Sequence, residues 1–308
     1  MTRVAGIDCG TNSIRLLIAD SDGSSALTDV VREMRVVRLG QGVDRTGRLA
    51  PDALERTRVA LADYAAAIDE HGATAVRMVA TSATRDAQNR DEFVAMVRAT
   101  LGVDPEVITG DEEAALSFRG AVDTIPGLRG PLLLADIGGG STELVAGSPG
   151  ADGALRARST DVGCVRMTER HLHDDPPTQQ QVDAVVADVR TAFEAARRTV
   201  PLREANVLVG VAGTVTTIAA IALGLTEYDA DAIHASRMSA AQVAKITDQL
   251  VHMTHAERAA IPVMHPGRVD VIGGGALVLR TLVEVSGVDE VIASEHDILD
   301  GIALSLLG

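Results

Sequence analysis

This chain of 308 residues repeats itself at a fixed offset, and no other feature constrains its fold as much. Ala5-Gly-Ile-Asp-Cys-Gly-Thr-Asn-Ser-Ile-Arg-Leu-Leu-Ile-Ala19 superposes on Leu133-Leu-Ala-Asp-Ile-Gly-Gly-Gly-Ser-Thr-Glu-Leu-Val-Ala-Gly147 under a shift of 128. Asp8 falls on Asp136, Gly10 on Gly138, Ser13 on Ser141 and Leu16 on Leu144. Each segment is an apolar run, an Asp, a glycine-containing polar turn and a second apolar run, which is the pattern of a β-hairpin. Two such hairpins in one chain imply two duplicated α/β domains. The spacing predicts domains over 1–125 and 126–308, because Asp123-Thr-Ile-Pro-Gly-Leu-Arg-Gly130 is rich in breakers.

Periodicity between the hairpins supports an α/β alternation. Strands are predicted over 27–31 and 34–39, then over 76–80 and 106–108. Helices are predicted over 51–71, 90–101 and 111–122; the first opens on Pro51 and stops at Gly72. In the second half the helices fall at 178–199, 214–223, 239–252, 268–286 and 297–307, with strands at 207–211 and 290–293.

Composition excludes several classes. Hydrophobic residues make up 46% and charged residues 23%, which is ordinary for a globular chain. No apolar run approaches a bilayer span and no signal peptide is visible, so a soluble cytoplasmic protein without a membrane partner is expected. Cys9 and Cys164 lack metal-ligand spacing and suit a reducing compartment. A net charge of -15, 2% aromatic residues and no Trp argue against a nucleic-acid partner. There is one Lys, Lys245, against 27 Arg, and no glycine-rich loop carries a Lys, so a P-loop is excluded.

The two turns are the first candidates for chemistry. Gly10, Thr11, Asn12 and Ser13, and Gly138, Gly139, Gly140, Ser141 and Thr142, offer backbone N–H groups and hydroxyls that suit phosphate oxygens. Asp8 and Asp136 end their strands and can hold a hydrated Mg²⁺, with Glu143 on the return strand. Ile108-Thr-Gly-Asp-Glu-Glu-Ala-Ala115 opens a helix with three acids, of which Glu112 or Glu113 can activate water. Val79-Ala-Thr-Ser-Ala-Thr-Arg-Asp-Ala87 brings Thr81, Ser82, Thr84 and Arg85 to a strand end. The glycine segments 213–217 and 272–276 suit close approach of a nucleotide or of another helix. Arg156, Arg158, Arg166, Arg170, Arg197, Arg198 and Arg203 read as a solvated surface, with a track for a long anionic substrate as the alternative.

The set Gly-Ile-Asp-Cys-Gly-Thr-Asn-Ser, Ala-Thr-Ser-Ala-Thr-Arg-Asp-Ala, Ile-Thr-Gly-Asp-Glu-Glu-Ala and Asp-Ile-Gly-Gly-Gly-Ser-Thr-Glu-Leu resembles the exopolyphosphatase / guanosine pentaphosphate phosphohydrolase family, in its short two-domain form. That family lies within the actin-like ATPase superfamily. The resemblance spans essentially the whole chain, in order. It implies two ribonuclease-H-like domains with an active-site cleft between them. It also implies a Mg²⁺-dependent enzyme, with Mn²⁺ as a substitute, that removes terminal phosphate from inorganic polyphosphate or from pppGpp. By motif match it makes Glu113 the catalytic carboxylate and Asp136 and Glu143 the metal-linked acids, and it puts Arg85 with the two turns on phosphate. A homodimer is the assembly to weigh. The alternatives are a kinase or ATPase of the same superfamily and an actin-type nucleotide sensor that hydrolyses nothing.

Overall fold

Strands β1 (Thr2–Cys9) and β2 (Ser13–Ser21) pair antiparallel around the first turn, with Asp8 opposite Arg15. The computed structural model describes residues 1–22, 27–122, 124–149 and 155–307. β3 (Thr28–Val36) adds antiparallel to β2. The two strands expected at 27–31 and 34–39 are this single strand. The break in its alternation is taken up where the register slips, with Ile18 pairing Val31 and Ala19 pairing Asp29.

Helices α1 (Val43–Thr46) and α2 (Pro51–His71) follow. Proline at the start of α2 lacks an N–H that would have had no partner there, and Gly72 ends the helix in the left-handed region, φ 67°. Next come β4 (Ala75–Ala80), α3 (Ser82–Asp86), α4 (Arg90–Leu101), β5 (Glu106–Val107) and α5 (Gly110–Val122). β4 runs parallel to β1, and β5 parallel to β4, so the sheet order is β3-β2-β1-β4-β5.

The second half repeats this plan. β6 (Leu132–Ile137), β7 (Thr142–Gly147) and β8 (Arg156–Thr160) form the antiparallel meander, followed by α6 (Cys164–His171) and α7 (Gln179–Ala196). β9 (Val207–Val211) lies parallel to β6. Then come α8 (Ala212–Ala222), α9 (Ala230–Ile233), β10 (Arg237–Ser239), α10 (Ala240–His252), α11 (His255–Ala259), α12 (Ile272–Ser286), β11 (Glu290–Ala293) and α13 (Ile298–Ser305). The second sheet, read from its far edge, is β8-β7-β6-β9-β11, with β10 added. Both sheets thus have the ribonuclease-H-like strand order, as expected.

The chain forms two compact units, Met1–Gly120 with Asp297–Gly308, and Ala121–His296. This differs from a division into 1–125 and 126–308. The chain leaves the first unit inside α5, and α13 returns to it. The reason is a sheet face that α13 covers. Val4, Leu17 and Ala19 bury against Leu299 and Ala303, while Val79, Ile108 and Leu116 bury against Ile298 and Ile302. Each such large side chain contributes roughly 1.5–3 kcal/mol on burial. The opposite face carries Ile7, Cys9, Ile14 and Leu16 against Leu61, Tyr64 and Phe93. Close approach of α13 needs glycine: a Cβ at Gly301 would lie 2.1 Å from the Leu116 carbonyl oxygen.

The glycine triplet of α12 is explained the same way. A Cβ at Gly274 would lie 2.8 Å from the Cys164 carbonyl oxygen and 2.5 Å from Thr168 Oγ1; one at Gly275 would lie 2.4 Å from Thr214 Oγ1. Helices α6 and α8, not a ligand, occupy that space. Gly273 has nothing nearer than Val251 at 3.9 Å. Gly274→Ala should therefore destabilise the protein by about 1–3 kcal/mol through overpacking. Gly273→Ala should be neutral or stabilising by up to about 1 kcal/mol, the helix-propensity gain of alanine. Thermal denaturation of both variants checks this, and equal midpoints would contradict the packing account.

Candidate active site

The first turn is held from its carbonyl side. Gly10 N–H closes it onto Ser13 O at 2.9 Å. Asn12 O accepts from the N–H groups of Val37 (3.1 Å) and Arg38 (2.8 Å), and Thr11 O accepts from Gly40 N–H (2.8 Å). Gly40 allows this approach, since a Cβ there would lie 2.3 Å from Thr11 Cγ2. The amides of Thr11 and Asn12 have no acceptor among the described residues.

The second turn is built alike. Gly138 N–H bonds Ser141 O at 3.0 Å. Gly138 O accepts from Cys164 N–H (2.9 Å), and Gly139 O accepts from Val165 (2.8 Å) and Arg166 (3.1 Å). Arg166 also donates from Nε to Gly140 O at 2.6 Å. A Cβ at Gly163 would lie 2.5 Å from Gly139 O, so only glycine fits at the start of α6. The amides of Gly139, Gly140 and Ser141 have no acceptor among the described residues. In both turns the carbonyls are engaged by protein while the amides that follow the closing glycine N–H, those of Thr11 and Asn12 and of Gly139, Gly140 and Ser141, are not, which is the arrangement of an anion nest. Thr142 departs from the expectation for it: its hydroxyl donates to Val162 O at 2.7 Å and anchors the turn. Thr11 Oγ1 likewise bonds Ser82 Oγ, at 2.9 Å.

The acids at the strand ends differ between the units. Asp8 Oδ2 accepts from Arg15 Nη2 at 2.7 Å and Nε at 3.1 Å, and Arg15 also pairs with Asp297 at the cap of α13. Burial pushes the Asp8 carboxyl above its usual range against the pull of Arg15. Its Oδ1 is buried without a hydrogen-bond partner. In the second unit Asp136 faces Glu143 directly across β6 and β7, and both are buried. Glu143 Oε1 accepts from Ser159 Oγ at 2.7 Å. Two buried carboxylates side by side form an all-oxygen donor set that fits a hard divalent cation retaining several waters. No group of three or more His, Cys, Asp or Glu that could hold a metal occurs among the described residues.

Helix α5 sorts its acids by burial. Glu112 is exposed and pairs with Arg77 at 3.0 Å. Glu113 is buried, and Arg85 Nη1 donates at 3.0 Å both to Glu113 Oε2 and to Ile108 O. Arg85, expected on phosphate, thus holds Glu113. The segment 213–217 is covered by Arg268, whose Nη1 donates to Gly213 O (2.9 Å) and Thr217 Oγ1 (3.0 Å). Arg166 is the residue that sequence reasoning missed: it lies on the second turn, not on an undifferentiated surface.

Two ribonuclease-H-like units, each with an Asp–Gly turn that presents amides beside buried carboxylates, define a phosphate-handling enzyme. The chain belongs to the Ppx/GppA phosphatase family, whose profile matches residues 17–308. It is 55% identical over 320 aligned residues to Exopolyphosphatase 2 of Mycobacterium tuberculosis, covering 100% of this chain and 99% of that one. An exopolyphosphatase-like protein of known structure superposes with a TM-score of 0.94 at 48% identity, over 99% of this chain and 97% of that one. An exopolyphosphatase from Cytophaga hutchinsonii gives 0.90 at 25% identity, over 99% and 98%. No helix among the described residues is long and apolar enough to cross a membrane.

Neither cysteine belongs to this chemistry. Both are free and buried. Burial pushes the Cys164 thiol up to about 11, and pushes Cys9 up as well. Cys164→Ser should leave turnover within a few-fold of wild type. In the native protein at pH 8 a thiol reagent should titrate neither residue, and in denaturant it should titrate both. Rapid native labelling of Cys164 would contradict its burial.

Proposed function

We propose that this protein is an exopolyphosphatase. It releases the terminal orthophosphate of inorganic polyphosphate by attack of water and leaves a chain shorter by one unit. The observation that carries the reading is Glu113: a buried carboxylate, oriented by Arg85, in a protein whose two turns offer amides to phosphate. Water attacks the terminal phosphorus, and Glu113 takes its proton. The turn amides stabilise the charge that develops on the phosphoryl oxygens, and because they are fixed in advance they need little reorganisation. Asp136 and Glu143 would hold Mg²⁺ or Mn²⁺, and Asp8, whose Oδ1 is buried without a hydrogen-bond partner, is a separate candidate ligand in its own unit. That ion would neutralise charge on the phosphate oxygens. The buried free cysteines suit a cytoplasmic enzyme.

Glu113→Gln keeps size and removes the base, so the rate should fall on the order of 10²–10⁴-fold. Substrate affinity should hold or tighten, because one negative charge has gone. Glu112→Gln, on the exposed side of the same turn of helix, should cost little. Phosphate release and affinity measured on both variants decide the assignment. A dead Glu112→Gln with an active Glu113→Gln would contradict it.

The substrate is tested with polyphosphate free of any nucleotide. Phosphate release there separates an exopolyphosphatase from a kinase or a nucleotide sensor, and pppGpp as a competing substrate ranks the two family activities. EDTA should abolish release, and Mg²⁺ or Mn²⁺ should restore it. Undiminished turnover in chelator would contradict the metal role of the carboxylates.

A further inference from the structure

The offset of 128 that superposes the hairpins also places Arg38 on Arg166. The structure puts each beside the turn of its own unit, Arg38 in the loop after β3 and Arg166 in the first turn of α6. Each follows the third strand of its own sheet, β3 or β8, and each is half-buried. Each donates its backbone N–H to a carbonyl of its unit's turn: Arg38 to Asn12 O at 2.8 Å, Arg166 to Gly139 O at 3.1 Å. Arg166 adds the Nε bond to Gly140 O at 2.6 Å, which fixes its guanidinium at the turn. Among the described residues, Arg38 is one of three non-glycine residues with positive φ, at 51°. A left-handed conformation costs a residue with a Cβ on the order of 1–2 kcal/mol, and such strain gathers at functional sites.

Charge explains why a cation belongs there. The protein carries -15 overall, and each turn sits beside buried acids, Asp8 in one unit and Asp136 and Glu143 in the other. A chain of phosphates is repelled by such surroundings unless a cation stands at the turn. Guanidinium suits the task because its planar fork matches two phosphate oxygens.

We propose that Arg38 and Arg166 are a duplicated pair of phosphate-binding arginines, one serving each turn. Through them an acidic chain acquires local affinity for polyphosphate. The proposal rests on the polyphosphate reading for the identity of the ligand, so its test reads binding of the polyanion and not hydrolysis. The competing account is that both residues only tether the turns through their backbone. That account leaves the guanidinium dispensable.

The experiment is equilibrium binding of inorganic tripolyphosphate to the full chain by calorimetry, with Mg²⁺ present. A Glu113→Gln background keeps the probe from being consumed. Arg38→Gln and Arg166→Gln should each weaken binding about 10- to 100-fold, the range of a lost charge-assisted hydrogen bond. Arg198→Gln, in the exposed turn just after α7, should change nothing. Arg38→Lys and Arg166→Lys retain charge but lose the fork, so they should bind several-fold more weakly than the parent. They carry the test if a Gln variant fails to fold. Parental affinity in a folded Gln variant, or in both Lys variants, would overturn the proposal. If the wild-type protein binds tripolyphosphate yet releases no phosphate from polyphosphate, the functional reading fails and the arginine result remains legible.

Discussion

Everything that follows from the structure depends on the way each Asp–Gly turn is tied down. Protein donors reach its carbonyls from the segment after the third strand, Val37 to Gly40 in one unit and Cys164 to Arg166 in the other. A turn so held cannot rotate its peptide planes to satisfy its own amides. An amide left without an acceptor in a buried setting costs about 1–3 kcal/mol. An anion bound there would relieve that cost. The turns are thus preorganised, by hydrogen bonds to their carbonyls, for the phosphate we propose they bind. Glycine is required where the fastening is closest, at Gly40 and Gly163.

Duplication gave two such turns, and one position then diverged in charge. Arg15 and Glu143 are equivalent under the shift of 128, and each faces the aspartate of its own hairpin. In the first unit the arginine supplies a fixed counterion to Asp8 and joins it to Asp297 on α13, so the last helix braces the first turn. In the second unit the acid pair stands with Ser159 as a donor to Glu143. A built-in cation in one half and a carboxylate pair in the other suit different tasks. Glu113, held by Arg85, stands on the unit with the built-in cation.

Much of this was legible in the sequence. The hairpins, and the helices over 51–71, 90–101 and 239–252, follow from apolar period, proline and glycine. Glu113 could not be separated from Glu112 by pattern, because both fall in the first turn of one helix. Only tertiary packing buries one beside Arg85 and leaves the other with Arg77. The home of α13 was equally hidden, since an amphipathic helix does not name the sheet it covers. Gly6 and Gly301, whose missing side chains admit it, were the available signal. Arg38 and Arg166 were lost among 27 arginines. The shift of 128, extended past the hairpins, pairs them. Thr142 looked like a ligand by its place in the turn, and nothing in the sequence marks its hydroxyl as engaged by Val162.

The central claim is that the turn amides receive phosphate. Backbone amide resonances followed during titration of the Glu113→Gln protein with tripolyphosphate test it most directly. The account expects the largest shifts at Thr11, Asn12, Gly139, Gly140 and Ser141, whose N–H groups have no protein acceptor among the described residues. It expects small shifts at Val37 and Val165, whose amides are already bonded to the turns. Saturable binding that leaves the five turn amides unmoved, with the shifts gathered elsewhere, would contradict it.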